Sequence, residues 1–347
     1  MALSLLPYIL VPFFIVLAAT ALVLRFSFRL GIVAVPRDDR WNKKPTSLLG
    51  GAGIFLGFAA SYFILCRPDL YDGMPFLLGA TGMFLTGILD DKFSLSVLFK
   101  ITLQFISVLA FFFFSGYFNL SGAHFFGVIF LALLLWVAGV TNALNLLDNM
   151  DGLACGIAAI AGIFFALILW QAAYSFAAGV LFGWLPGAQV YIALIICGCA
   201  LGFLFYNFNP AKIFMGNSGS MFLGYSLAVL ALSAAFSAKD IFQVVAIPVM
   251  VLIVPLFDTF FVAITRALER RPIYKGGIDH LSHRLARLGL SDKKVTLIFY
   301  AIAVFFGALA FGYSVRPSFI IVAVSGAGVL AMGLSGVFIF KATSRLS

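Results

Sequence analysis

The sequence predicts an all-α, polytopic membrane helix bundle of about eleven transmembrane helices, with ten as the alternative count and the N-terminus outside. Three observations carry this. Of 347 residues, 63 % are hydrophobic and only 10 % charged, whereas soluble domains are about a quarter charged. The apolar runs approach 20 residues, long enough for helices, and do not alternate over about ten residues as barrel strands do. The basic residues also collect on one side when the segments alternate across a bilayer. A collagen, a disordered tail and a disulfide scaffold are excluded by the same composition. Cys66, Cys155, Cys197 and Cys199 lie in apolar stretches without metal spacing and read as small hydrophobes.

In chain order the apolar segments run near 7–24, 48–66, 75–89, 98–114, 124–147, 152–171, 190–207, 219–236, 241–265, 295–313 and 318–340. At about 1.5 Å per residue most can cross a core of about 30 Å, and 75–89 needs part of its flanking loops. The stretch 172–189, with Trp184, Pro186 and Gly187, reads as interfacial or re-entrant. Nothing basic precedes the first span, so a cleaved signal peptide is not expected. With the N-terminus outside, every basic residue except Arg67, Lys239 and Arg316 falls inside, as the positive-inside rule requires. The net charge of +9 is then owed to cytoplasmic loops, and nucleic acid is not expected as a partner. Residues 1–347 read as one integral-membrane domain whose longest inner loop is 266–294.

Twelve of the thirteen acids are aspartate, Glu269 being the exception, and only Asp69, Asp72 and Asp240 fall outside. Polar motifs and charge thus converge on one face. The first motif is Gly87-Ile-Leu-Asp90-Asp91-Lys92, at the inner end of the third span. Two adjacent carboxylates at a helix C-terminus repel each other and the dipole, unless a cation or the N-terminus of the next helix compensates. Solvated loop acids are the plain alternative to metal or proton chemistry. The second motif, Asn142-Ala-Leu-Asn145-Leu-Leu-Asp148-Asn-Met-Asp151-Gly152, sets four polar groups at every third residue, each the helical neighbour of the next. Such a helix tip suits a sugar, a ribose or a hydrated metal, and Gly152 can end the turn.

The third motif, Asn207-Phe-Asn209-Pro210-Ala-Lys212 followed by Gly216-Asn217-Ser218-Gly219-Ser220, enters a helix through glycines and hydroxyls. Free backbone N–H groups there make an anion site, with Lys212 nearby; a simple inter-helix turn is the alternative. The fourth, Asp279-His280-Leu-Ser-His283-Arg284-Leu, sets two histidines a turn apart. Two histidines alone do not make a zinc site, and phosphate or base contacts fit better, with Leu281, Leu285 and Leu288 facing the membrane surface. His124 falls on the outer side. Arg37, Arg40, Lys43 and Lys44 enforce topology or bind phosphates, and Asp258 is a buried ionisable group inside the ninth span.

Together these motifs resemble the polyprenyl-phosphate N-acetylhexosamine-1-phosphate transferase family (glycosyltransferase family 4), from about Val35 to Leu290 and in the family's order. The Leu-Asp-Asn-Met-Asp-Gly-Leu and Asp-His-Leu-Ser-His-Arg forms are closer to its undecaprenyl-phosphate GlcNAc-1-phosphate branch. The resemblance implies a phosphotransferase of a bacterial inner membrane, serving cell-envelope polysaccharide synthesis with its active site on the cytoplasmic face. A UDP-sugar and polyprenyl phosphate would give polyprenyl-diphospho-sugar and UMP, with Mg2+ as cofactor and Mn2+ as the alternative. The implied partners are those two substrates and the lipid bilayer, with a homodimer compatible.

By position, Asp90 and Asp91 match the pair that handles lipid phosphate and metal. Asn142, Asn145, Asp148 and Asp151 match the nucleotide-sugar and catalytic segment, with Asn209 and Lys212 beside it as substrate contacts. His280, His283 and Arg284 match the diphosphate-contacting loop, and Lys44 with Thr46 the first-loop contacts. The implied metal ligands are Asp91 and residue 217. Here the family's Met-Gly-Asp-x-Gly-Ser has Asn217, one charge fewer, which implies weaker metal affinity. Asn42 stands where relatives often carry histidine. Direct attack by the lipid phosphate is favoured, and an aspartyl-phosphate intermediate at Asp90 stays open. An intramembrane prenyltransferase gives no role to the histidines, an aspartyl protease needs acids at membrane depth, and a transporter needs midplane polar groups.

Overall fold

A computed structural model describes residues 2–30, 33–34, 46–66, 73–115, 126–174, 186–238, 240–272, 277 and 279–344. Each apolar segment is helical. A turn at Ala2–Leu5 leads into α1 (Pro7–Leu30), followed by α2 (Gly50–Leu65), α3 (Met74–Phe93), α4 (Val97–Phe114), α5 (Phe126–Leu147), α6 (Leu153–Tyr174), α7 (Pro186–Asn207) and α8 (Gly216–Phe236). Then come α9 (Ile241–Val251), α10 (Ile253–Leu268), α11 (Leu281–Arg287), α12 (Asp292–Val315) and α13 (Phe319–Ser344).

Among the described residues, α1, α4, α5, α6, α7, α8, α12 and α13 are long and apolar enough to cross a membrane. The expected single span at 241–265 is instead broken into α9 and α10, which bend by 80°. Pro248 inside α9 and Pro255 in the first turn of α10 flank the non-helical Leu252, and each proline removes an N–H from the ladder. Of the stretch 172–189, residues 175–185 lie outside the described residues, as does Lys44 in the first loop.

Helix α8 is the central post, buried without interruption from Ser218 to Ala235, with α2, α3, α5, α6 and α9 around it. Without a hydrophobic drive between helices in lipid, close approach rests on small residues. A Cβ at Gly51 would collide with Gly219, and one at Gly224 with the Thr141 backbone. Outward-facing apolar residues such as Leu98, Val128 and Phe319 stay exposed, as a lipid-facing surface should.

The connections at one end of the bundle pack together. Strands β1 (Val33–Ala34) and β2 (Thr46–Ser47) form an antiparallel ribbon, and Ser47 bridges in parallel to Ile213. Gly50 and Gly51 then donate their N–H groups to Phe214 O and Met215 O, which pins this loop beside the start of α8. The loop after α10 also differs from expectation. Leu281 is 8 % exposed and Leu285 packs on the core, so of the three leucines only Leu288 stands out. Short α11 is tied inward by polar contacts.

Candidate active site

Gly87 determines where the aspartate pair sits. A Cβ there would collide with the Ser218 backbone, so glycine lets α3 touch the start of α8. One turn on, Asp91 Oδ1 accepts the Asn217 backbone N–H at 2.9 Å and Oδ2 accepts that of Ser218 at 3.2 Å. Gly216 opens α8 with φ +70°, a conformation glycine adopts without strain, and a side chain there would press on Asp91. The positive end of α8 thus compensates Asp91. Asp91 thus takes two of the N–H groups at Gly216–Ser220, where the sequence predicts an anion site. Lys212 stands exposed on the loop leading into it.

Asp90 has a different partner. Ser94, in the left-handed conformation at φ 50°, ends α3 and returns the chain into α4. Lys100 Nζ, in the first turns of α4, lies 2.9 Å from Asp90 Oδ2, while Leu95 N–H donates to Oδ1 at 3.0 Å. Lys100 also donates to Asn145 Oδ1 at 3.0 Å. Asn145 Nδ2 in turn donates to Asn217 Oδ1 at 2.7 Å and to Ser220 Oγ at 2.8 Å. An unbroken polar chain therefore joins Asp90, Lys100, Asn145, Asn217 and Asp91.

Asn142, one turn deeper, does not reach this group. It forms a reciprocal amide pair with Gln104, which is fully buried, at 2.8 and 3.2 Å, and donates to Ala138 O. Predicted at the nucleotide sugar, Asn142 is half-buried, and its amide ties α5 to the buried Gln104 of α4.

The polar turn after α5 ends at Gly152, φ +76°. Burial, then the charges of Asp91 and Asp151, push the Asp148 carboxyl up to about 7. Asp151 Oδ2 accepts the Ala211 N–H at 2.9 Å and Asn209 Nδ2 at 3.3 Å, so Asn209 is a strut for Asp151. Burial raises the Asp151 carboxyl, those hydrogen bonds offset part of the effect, and Asp292 adds to it. Asn207 Oδ1 accepts the Gly152 N–H at 3.2 Å, and Tyr300 Oη donates to Gly152 O at 2.6 Å.

The histidine segment joins at this turn, where Ser282 Oγ donates to Asn149 Oδ1 at 2.8 Å. The His280 and His283 rings are 6.1 Å apart and both buried. Burial, with His280 alongside, holds His283 down to about 4, so it is neutral at physiological pH. Arg284, expected at the substrate, is used within the protein. Its Nη1 donates to Thr343 Oγ1 at 2.9 Å and its Nε to Asp279 O at 3.0 Å, with the Phe340 ring 5.1 Å away. Burial would raise Asp279, but Arg271 and Arg266 outweigh it and hold that carboxyl below its usual range. Thr46 is buried in β2, beside the entry to α8.

Sequence reasoning overlooked Lys100, which joins the site, with Gln104, the partner of Asn142, and it overlooked Asn149 and Ser282 as ties. The signal for the first pair was present: a lysine and a glutamine four apart in an otherwise apolar span share one helix face.

The sequence matches the model of glycosyl transferase family 4 over residues 74–235, the stretch from α3 to α8 that carries both the aspartate pair and the amide chain. It is 35 % identical to a probable undecaprenyl-phosphate N-acetylglucosaminyl 1-phosphate transferase of Bacillus subtilis, covering 85 % of this chain and 81 % of that one. A decaprenyl-phosphate N-acetylglucosaminephosphotransferase of Mycobacterium tuberculosis is 32 % identical over 85 % and 78 % of the two chains. A phospho-N-acetylmuramoyl-pentapeptide-transferase of Halalkalibacterium halodurans is 29 % identical over 78 % and 83 %. With likeness of this extent running the length of the bundle, the chain belongs to glycosyl transferase family 4.

Proposed function

We propose that this protein transfers an N-acetylhexosamine 1-phosphate, such as that of GlcNAc, from a UDP-sugar to polyprenyl phosphate, at the cytoplasmic face of a bacterial inner membrane. The observation that carries the reading is the convergence of Asp91, seated on the start of α8, with Asp148, whose carboxyl feels Asp91 and Asp151. The names of the relatives support the acceptor and the sugar, and the basic inner loops support the orientation.

A divalent cation fits these residues. Asp148 feels the charges of both Asp91 and Asp151, a repulsion that a hard cation would relieve. Among the described residues no three His, Cys, Asp or Glu side chains form a cage. Magnesium does not need one, since it keeps several waters and takes one or two carboxylates plus substrate phosphates. Asp91 and Asp148 would hold it, with Asn217 beside them, and Mn2+ is the alternative. Bound there it would neutralise charge on the phosphates.

The acceptor phosphate is already largely dianionic at neutral pH, its second pKa lying near 6. Its oxygen attacks the sugar-linked phosphorus directly; a new P–O bond forms as the bond to UMP breaks, and UMP leaves with the electron pair. Asp90 is a poor nucleophile for a covalent route, because Lys100 and the Leu95 N–H occupy its oxygens. Positioning and charge, more than covalent chemistry, lower the barrier. The test is to supply purified protein with undecaprenyl phosphate and a panel of UDP-sugars. UMP and a diphospho-lipid should appear together with one N-acetylhexosamine donor; release from none of them would remove the reading.

A further inference from the structure

Asp258 lies inside α10, 1 % exposed, and takes no part in the chemistry described above. Its two oxygens have different partners. Oδ1 accepts the backbone N–H of Leu281 at 2.9 Å, and Oδ2 lies 2.7 Å from Nδ1 of His280. Charged groups also stand around the histidine pair: Asp258 from α10, Arg287 from the end of α11 and Asp292 from the start of α12 all act on His283. Burial and the neighbouring His280 hold the His283 ring down to about 4, which keeps it neutral. The two histidines are therefore not equivalent, although the sequence presents them as a pair.

We propose that Asp258 is a positioning residue that fixes His280 in the Nδ1–H tautomer and makes Nε2 the ring nitrogen that meets substrate. A carboxylate has only acceptors, so the Nδ1 facing it must carry the proton. The hydrogen bond made by one imidazole nitrogen decides the role of the other. The Leu281 N–H anchors the same carboxylate, so Oδ2 has one orientation, and the ring plane follows from it. The Ser282–Asn149 bond ties the next residues to the polar turn, and the fixed ring is carried with them toward the reaction centre. What Nε2 meets rests on the transferase reading; the tautomer does not.

The amide variant gives a sharp discrimination. In Asp258→Asn the side-chain oxygen must face the Leu281 N–H, which can only donate. The NH2 group then points at His280 Nδ1, which has to become an acceptor, and the proton moves to Nε2. Asp258→Glu keeps a carboxylate and should keep the tautomer.

The protein has three histidines, so the full chain labelled with 15N-histidine in detergent micelles gives a countable two-bond 1H–15N spectrum. His280→Gln identifies the His280 signals. The expected result is that the neutral wild-type ring carries its proton on Nδ1, and that Asp258→Asn moves it to Nε2. In UMP release, Asp258→Asn and His280→Gln should each lose activity about 10- to 100-fold, the double variant no more than the worse single one. Asp258→Glu should recover part of the loss. A wild-type His280 protonated only on Nε2, or losses that multiply in the double variant, would overturn the proposal. The wild-type spectrum decides even if the variants fail to fold. An Nδ1–H spectrum from a protein that releases no UMP would count against the transferase reading and leave the tautomer assignment standing.

Discussion

Asp148 is a carboxylate whose charge is costly to hold. Burial and two neighbouring carboxylates push it up to about 7, so without a divalent ion it is partly protonated at neutral pH. The sign of the stability effect follows. The folded-state pKa exceeds the unfolded value of about 3.9, so folded protein keeps a proton that the unfolded chain has already lost. Stability from this group is greatest at low pH and falls as pH rises from about 4 to about 7. His283 changes stability in the opposite sense, so Asp148 is isolated by comparison: metal-free wild-type protein should lose more Tm between about pH 5 and about pH 8 than Asp148→Asn does, and magnesium should narrow that gap. A gap that magnesium leaves untouched in a thermal unfolding series would show that the carboxylates do not share the ion. Asn217 gives a second prediction. Its Oδ1 already accepts from Asn145, so Asn217→Asp keeps that bond and adds a charge. Titration of UMP release should reach half activity at a lower magnesium concentration, and an unchanged curve would remove residue 217 from the metal ligands.

Between helices, the site depends on two contacts. The first is Gly87 against Ser218. Gly87→Val would wedge α3 away from α8, cost about 1–3 kcal/mol by overpacking and part Asp91 from its N–H donors. Lower Tm and lost UMP release that added magnesium does not restore are the expected outcomes. The second is the Gln104–Asn142 pair. Gln104→Leu alone leaves the half-buried Asn142 amide only its bond to Ala138 O, at a cost of about 1 kcal/mol, whereas Gln104→Leu with Asn142→Leu removes both partners and should regain much of the Tm. A double variant less stable than the single one would argue against a pin. Helix existence was readable at this scale, since a long apolar run in lipid has no alternative but a helix. The break at Leu252 was signalled by Pro248 and Pro255 but lies within unbroken hydropathy. Nor did periodicity show that Asn142 turns to Gln104 while Asn145, one turn on, turns to Asn217. Both follow one amphipathic pattern, and only the packing of α4 and α8 separates them.

Across the whole molecule, residues far apart in the chain meet at one end of a bundle built around α8. The sequence singled out the carboxylates and amides that meet at that end, because such groups are costly in so apolar a chain and stand out. It did not reveal how they divide the work. Asp91 occupies the helix end that had looked ready for a substrate phosphate, and Arg284 closes a contact to Thr343 instead of reaching outward. Such choices are settled by three-dimensional neighbours. The central claim, that Asp91, Asp148 and Asp151 serve one reaction centre, is tested most directly by UMP release from Asp91→Asn, Asp148→Asn and Asp151→Asn at saturating magnesium, alongside circular dichroism to confirm folding. Each well-folded variant should lose about 100-fold or more; wild-type turnover in any one of them would contradict the account.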